Sequence, residues 1–235
     1  MKICFFSDIH GNNYAFDEFI NYSLNLDIDQ YVLCGDIFGY YYGQNDIISK
    51  LRNIVNLYSI KGNHDINYLN ICLKLESEKI FIDKYGSSYK NIAKKISVAN
   101  HNFIENMADY LELNFNDIKI GIFHGSPINH LSGRVYPDTE ITEFDIYKNY
   151  DYIILGHTHY RMLRNLGLTV IINPGSIGQP RDKNGSSFAT LTLPSGEIQF
   201  YQIKWEKSKL VSEIKKNDKS NQKLIDILFR DEVSL

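Results

Sequence analysis

The sequence predicts an α/β protein organised around a layered sheet. Three observations lead there. Short runs of β-branched and aromatic residues alternate with amphipathic stretches up to about residue 60. Similar short apolar runs resume near residue 113. Between them the apolar residues follow helical rather than alternating spacing. At 235 residues the chain is long enough for one sizeable domain.

The elements follow in order. Residues 2–7 form the first expected strand. Asn12 or Asn13 can cap the helix after it, whose apolar face carries Ala15, Phe16, Phe19 and Ile20. Residues 31–34 read as a second strand, 46–52 as a weaker helix and 55–60 as a third strand. From residue 66 to about 110 the spacing of Tyr68, Leu69, Cys72 and Leu75, then Ile92, Ile96, Phe103 and Ile104, predicts a helical insertion. It is punctuated by Gly86-Ser87-Ser88. Sheet character returns at 113–115 and 118–123, joined by an Asn116-Asp117 turn, with Ile118, Ile120 and Ile122 alternating. Further short strands are expected at 152–155, 169–172, 187–193 and 198–204, the last two flanking Pro194-Ser195-Gly196. Residues 206–235 form a charged extension with an amphipathic helix at 224–229.

Composition narrows the class. An apolar fraction of 43% and a charged fraction of 23% are ordinary for a globular protein with a buried core. The net charge of −3 argues against a long nucleic-acid interface, which draws its affinity from Lys and Arg on phosphates. Three cysteines, Cys4, Cys34 and Cys72, make an odd count with no CxxC pair, and Cys4 and Cys34, inside apolar runs, read as core residues. No run approaches 18 consecutive apolar residues, and the first residues lack the pattern of a signal peptide. A cytoplasmic protein with no membrane partner, a monomer or small homo-oligomer, is expected.

Five short strings carry the chemistry: SDIHGN, CGDIF, KGNHDI, FHGSP and GHTHY. They place Asp8, His10, Asp36, Asn63, His64, Asp65, His124, His157 and His159 in loops, and five of the seven histidines fall within them. Most follow a strand-like run, a distribution that packing does not explain. Asp8 and His10 lie two apart just beyond a strand end, and His157 and His159 repeat the arrangement. In extended backbone both members of such a pair point the same way and can grip one ion. Mixed carboxylate, amide and imidazole ligands suit manganese, iron, cobalt, nickel or zinc, whereas an all-oxygen cage would suit calcium or magnesium. The spacing matches no zinc finger. There are more ligands than one four-coordinate ion needs, so two ions are expected.

In this order, D-x-H, G-D, G-N-H-D, H-G and G-H-T-H resemble the calcineurin-like metallophosphoesterase superfamily over about residues 1–200. The segments SDIHGN, GDIFGY, GNHD, HGSP and NPGSIGQPRD are most similar to its small bacterial and archaeal branch, the YfcE-like phosphodiesterases and phosphatases. The chain lacks the arginine that protein phosphatases carry after the residue equivalent to Asp36. The resemblance implies a four-layer α-β-β-α sandwich over residues 1–205, with the insertion at 66–110 placed as a cap. It implies that Asp8, His10 and His159 hold a first divalent ion, that Asn63, His124 and His157 hold a second, and that Asp36 bridges both. Manganese would be the leading metal. His64 would contact the phosphate and help protonate the leaving oxygen, with Asp65 orienting its imidazole.

The implied activity is hydrolysis of small phosphodiesters or phosphomonoesters, nucleotides and dinucleoside polyphosphates among them, by metal-activated water. Two rival readings stand beside it, a metal-dependent nuclease and a non-enzymatic interaction scaffold. Further candidates for substrate contact are Arg181, whose guanidinium could fork onto a phosphate, Arg134 and His130 downstream of His124, Asn12, and Tyr40 of the Tyr40–Tyr42 run, which could stack on a base. Asn173-Pro174-Gly175-Ser176 reads as a turn supporting the metal loops, and His101 as a structural histidine.

Overall fold

The structure is a computed structural model that describes residues 1–142, 144–219 and 221–230. Its centre is a pair of five-stranded sheets packed face to face. In the first, β1 (Lys2–Phe6), β2 (Gln30–Leu33) and β3 (Leu57–Ser59) run parallel, and β9 (Ser187–Thr192) and β10 (Glu197–Gln202) join antiparallel, giving the order β10-β9-β1-β2-β3. In the second, β5 (Ile118–Phe123), β6 (Tyr152–Ile154) and β8 (Val170–Pro174) are parallel. Antiparallel β4 (Tyr110–Phe115) and β7 (Arg161–Asn165) form its edges, giving the order β4-β5-β6-β8-β7.

The period-two pattern of β1 shows how the sequence builds the layers. Ile3 and Phe5 point into the seam between the sheets, against Val32, Ile60, Ile120, Ile122, Ile154, Ile172 and Leu191. Cys4 and Phe6 point the other way, into a second core formed with the helices. There α1 (Asn13–Ser23) presents Ala15, Phe16 and Phe19, all fully buried. Asn12 caps it by accepting the Ala15 N–H at 3.1 Å, so Asn12 rather than Asn13 is the cap. Then α2 (Gln44–Leu51) adds Ile47, Ile48 and Leu51.

The insertion is helical as expected, and it begins earlier, at Asn63. It comprises α3 (Asn63–Cys72), α4 (Glu78–Tyr85), a 3-10 turn at Ser87–Tyr89, α5 (Ile92–Lys95) and α6 (Val98–Glu105). His101 is structural, its Nδ1 paired with the Tyr68 hydroxyl at 2.9 Å. The outer face of the second sheet carries a thinner covering, where Val135, Ile141 and Tyr147 pack on Phe123, Ile153, Leu155 and Ile171. Among its described residues that segment contains only the single turn α7 (Phe144–Tyr147).

Besides the single turn α7, the sequence expectation missed two elements. β7 is an edge strand in which only Met162 is buried, so its apolar alternation is faint. The other, α8 (Ser208–Asn217), has Leu210 and Ile214 one turn apart amid lysines, a short apolar stripe masked by charge. The expected third strand also shrinks to Leu57–Ser59, with Val55 78% exposed outside it. The last helix, α9 (Gln222–Leu228), appears close to where expected. No helix among the described residues is long and apolar enough to cross a membrane.

Phe19 lies at the centre of the helix-side core, with ring centroids 4.5 Å from Phe6, 5.1 Å from Phe188 and 5.8 Å from Phe16. Phe19→Ala removes that ring from a site with no exposure. The variant should lose about 3–5 kcal/mol of unfolding free energy, read as a lower urea midpoint with an unchanged slope.

Candidate metal centre

The site lies where the parallel strands of both sheets end. Asp8 and His10 follow β1, Asp36 follows β2, Asn63 and His64 follow β3, His124 follows β5, and His157 and His159 follow β6. In open α/β sheets the carboxyl ends of the strands are the usual place for a ligand site. Here two sheets bring such ends together.

The backbone does not achieve this in the extended form expected from the i, i+2 spacing. Asp8 (φ 55°), His10 (50°), Asp36 (62°), His157 (64°) and His159 (63°) are all left-handed. Left-handed backbone is uncommon outside glycine and is tolerated best by Asp, Asn and His, the residue types present. Each turn swings its side chain off the strand axis toward a common centre. The pairs do converge, but through these bends rather than through strand pleat. Such conformations persist only where the surroundings over-determine them. Here they are locked by Ile9 N–H and His10 N–H to the Asp36 carbonyl (2.8 and 3.1 Å) and by Asp8 N–H to the Gly35 carbonyl (3.0 Å).

Three groups of ligating atoms result, each within 4.8 Å of its fellows: Asp8, His10 and His159; His10, Asp36 and His64; Asp36, His124 and His157. Asn63 joins the last, its Oδ1 lying 3.3 Å from His124 Nε2. Asp36 stands between the outer two groups. Its Oδ2 is 3.7 Å from His10 Nε2 and 3.4 Å from His124 Nε2. Gly62 makes that position possible, because a Cβ there would collide with the Asp36 carboxylate.

The imidazoles are set as metal ligands are set. Nδ1 of His10, His124 and His159 lies 2.8, 2.8 and 2.6 Å from the carbonyls of Phe38, Cys34 and Gln179. A carbonyl only accepts, so each Nδ1 carries the hydrogen and each Nε2 is left to face the cluster. His10 Nε2 and His159 Nε2 then stand 3.0 Å apart. Asp8 Oδ1 is buried with no hydrogen-bond partner, 3.2 Å from His159 Nε2. Two facing lone pairs beside an orphaned carboxylate oxygen call for a cation, and the donor set fits a divalent transition ion.

Electrostatics agrees. Burial opposes ionisation of Asp8 and Asp36, yet His159 beside the first, and His124 and His64 beside the second, hold both carboxyls well below the usual range. Burial works against a charged His124, but Asp36 and Asp8 carry it up to about 9. Burial takes His64 and His157 down to about 4.

Asp65 takes a different place from the one the resemblance implied. Its carboxylate accepts the N–H groups of Asp36 (2.9 Å), Ile37 (2.9 Å), Phe38 (3.3 Å) and Gly62 (2.8 Å), tying the β2 and β3 loops together. With its oxygens committed to backbone donors, it does not orient the His64 imidazole. That ring is held instead by the Tyr89 hydroxyl, 2.9 Å from Nδ1, with Tyr85 packed at 4.5 Å. Both tyrosines come from the insertion. In the sequence the only hint was that they flank the Gly-Ser-Ser turn.

The remaining candidates separate. Arg134 is exposed, and its Nε lies 3.3 Å from His157 Nε2, at the mouth of the site. Tyr40 is left-handed (φ 56°), its ring 5.0 Å from His10 and 5.5 Å from His64. Arg181 donates its backbone N–H to the His159 carbonyl at 3.4 Å, and its Nε is buried without a hydrogen-bond partner. Asn12 is fully used by the fold, capping α1 and donating to the Gly178 carbonyl at 2.9 Å. His130 does not join the cluster. Its ring packs on Tyr110 and Phe123, and its Nε2 lies 3.1 Å from the Pro127 carbonyl. Asn173 and Ser176 brace the site from behind, Asn173 Nδ2 donating to the Gly156 carbonyl (2.8 Å) and Ser176 Oγ to the Asp8 carbonyl (2.7 Å).

Against known proteins, the model of the calcineurin-like phosphoesterase superfamily domain matches residues 1–196. The chain belongs to the calcineurin-like phosphoesterase superfamily. The uncharacterised protein MJ0912 of Methanocaldococcus jannaschii is 28% identical over 234 residues, 92% of each chain. The crystal structure of the hypothetical protein PH1004 from Pyrococcus horikoshii OT3 superposes with a TM-score of 0.80 at 20% identity, covering 97% of both chains. YfcE, a phosphoesterase from E. coli, shares the fold at a TM-score of 0.53 and 18% identity, covering 87% of this chain and 100% of its own. The family is metal-dependent, and this chain carries the clustered ligands that such dependence requires.

His124 gives this site a pH signature. An imidazole can ligate only when neutral, and in the metal-free protein the His124 pKa is raised to about 9. Manganese binding at neutral pH should therefore expel about one proton, and affinity should climb up to tenfold per pH unit below about 9 before levelling off. Calorimetry in buffers of differing ionisation heat reads the proton count. Affinity that is flat between about pH 6.5 and 8.5 would contradict the assignment of His124.

Proposed function

We propose that the chain hydrolyses small phosphodiesters or phosphomonoesters using two divalent ions, manganese foremost. The observation carrying this reading is the placement of Asp36 Oδ2 within 3.7 Å of His10 Nε2 and 3.4 Å of His124 Nε2, one carboxylate oxygen between two ligand triads. Asp8, His10 and His159 would hold one ion, Asn63, His124 and His157 the other, and Asp36 both. Ions in such a pair supply Lewis acidity to phosphoryl oxygens and lower the pKa of water.

The side chains around them do the rest. Arg134, beside His157, offers a guanidinium to a phosphate oxygen at the open side of the site. His64 has its Nδ1 occupied by Tyr89, which leaves Nε2 as the nitrogen that meets the substrate. For His64 to serve the leaving oxygen, the Tyr89 hydroxyl would donate to Nδ1, placing the imidazole proton on Nε2, the tautomer that can pass it to a leaving alkoxide. Burial keeps the Tyr89 phenol from ionising, so that donor is retained. Tyr40 and Arg181 form the wall beside His10 and His159 and would contact the group esterified to phosphate. The class of activity matches that named for YfcE, and the substrate itself is expected to be small.

The test is a metal screen with bis(p-nitrophenyl) phosphate and p-nitrophenyl phosphate, followed by nucleotide substrates. Manganese-dependent release of nitrophenol supports the reading, and a chain that binds no divalent ion overturns it. Asp36→Ala strips a ligand from both ions and should abolish turnover. His64→Ala should keep the metals while lowering kcat by about 10²–10⁴-fold, the usual worth of a positioned proton donor. Near wild-type turnover in Asp36→Ala would refute the shared-ligand role.

A further inference from the structure

The family match ends at residue 196, yet one side chain beyond it reaches the machinery around His64. Asp218 follows α8, in the charged C-terminal extension. Its carboxylate accepts the Ser87 N–H at 2.9 Å (Oδ1) and 3.1 Å (Oδ2), the Ser87 hydroxyl at 2.7 Å and the Tyr42 hydroxyl at 2.6 Å. Three donors from two distant segments thus converge on one carboxylate.

What those segments carry gives the contact its meaning. Ser87 belongs to the turn that separates Tyr85 from Tyr89, the two rings laid on His64. Gly86, at φ 87°, makes that turn in left-handed backbone, and a Cβ there would press on Leu224 of α9. Tyr42 sits two residues from Tyr40, whose ring packs against His10, His64 and Tyr85. The apolar surroundings reinforce the clamp. Leu210, Ile214, Leu224 and Leu228 of the two C-terminal helices pack with Tyr41, with Tyr40 and Tyr42 against their edge.

The geometry points to Asp218 as a positioning residue for the proposed phosphoester hydrolysis. It fixes the Tyr85–Tyr89 turn and the Tyr40 loop, and through them the tilt and tautomer of the His64 imidazole. The extension is thereby a working part of the site, although Asp218 touches neither a metal ligand nor the position of a substrate. This role rests on the reading of His64 as the group that serves the leaving oxygen.

Two measurements on the full chain test it. The first depends on geometry alone. In Asp218→Asn one carboxylate oxygen becomes a donor, and hydrogen exchange of the amides of residues 85–89 should accelerate about tenfold, the size of one lost charge-assisted hydrogen bond, while β1 and β5 keep their protection. Ser87→Ala with Tyr42→Phe removes the two hydroxyl donors from the other side, leaving the Ser87 N–H on the carboxylate, and should accelerate the same amides to a smaller extent. Unchanged protection in both variants overturns the clamp.

The second reads chemistry, with manganese and aryl phosphodiesters of graded leaving-group acidity. A misplaced His64 matters most where the leaving oxygen needs a proton. Asp218→Asn should therefore cut kcat on the phenyl ester about tenfold and leave the 2,4-dinitrophenyl ester within about twofold, at unchanged KM. Adding Asp218→Asn to the Ser87/Tyr42 double variant should cost less than the two effects summed, because the changes share the hydroxyl contacts to one carboxylate. An equal fall on both esters would mark general destabilisation and overturn the positioning role. Wild-type protein inactive on both esters would instead strike at the proposed function, and the exchange measurement would still decide whether Asp218 holds the turn.

Discussion

Charge balance in a dry pocket is the constraint from which the rest of this architecture follows. Asp8 and Asp36 are essentially without solvent exposure. A lone carboxylate in such a place would cost several kcal/mol. The fold keeps both ionised by crowding imidazoles around them and by turning those imidazoles with backbone carbonyls so that their Nε2 atoms face inward. That solution creates a new imbalance, facing lone pairs and an unpartnered carboxylate oxygen, which only positive charge relieves. The left-handed residues, the tight approach of Gly62 to Asp36 and the four backbone donors on Asp65 all hold this arrangement in place. Strain and desolvation are concentrated at one spot, and the aromatic and aliphatic cores around it supply the stability that tolerates them.

How much of this was legible in the sequence depended on the range of each interaction. The strands up to Phe6, Leu33 and Phe123 were visible because burial on both faces writes near-continuous apolar runs. The ligands were visible because metal chemistry restricts residue type, whatever the backbone does. The backbone itself was misjudged: i, i+2 spacing suggested extended strands, and the chain uses left-handed bends, which leave no mark beyond a taste for Asp, Asn and His. The resemblance assigns Asp65 to the neighbouring histidine, whereas its donors lie largely 27 to 29 residues away. Tyr89 is 25 residues from His64 and Asp218 is 131 from Ser87. Contacts at such separations are set by how the insertion and the extension fold back, and no local pattern encodes them. β7 and α8 escaped for the opposite reason, since their apolar stripes are local but only one or two residues deep.

The seam between the sheets has a consequence for the site. It is filled mostly by aliphatic side chains of modest size, with Cys34 and Ala189 among them, whereas the helix-side core is rich in stacked rings. Because the sheets meet through these trim side chains, their thickness acts as a spacer gauge: it fixes how far the loops of one sheet stand from those of the other. Protein interiors resist added volume. A bulkier residue at Ile120 or Ile154 would pry the two platforms apart and widen the gap between Asp36 and His157 without touching either. The spacing of the two loop platforms is thus set by side chains that lie outside the cluster altogether.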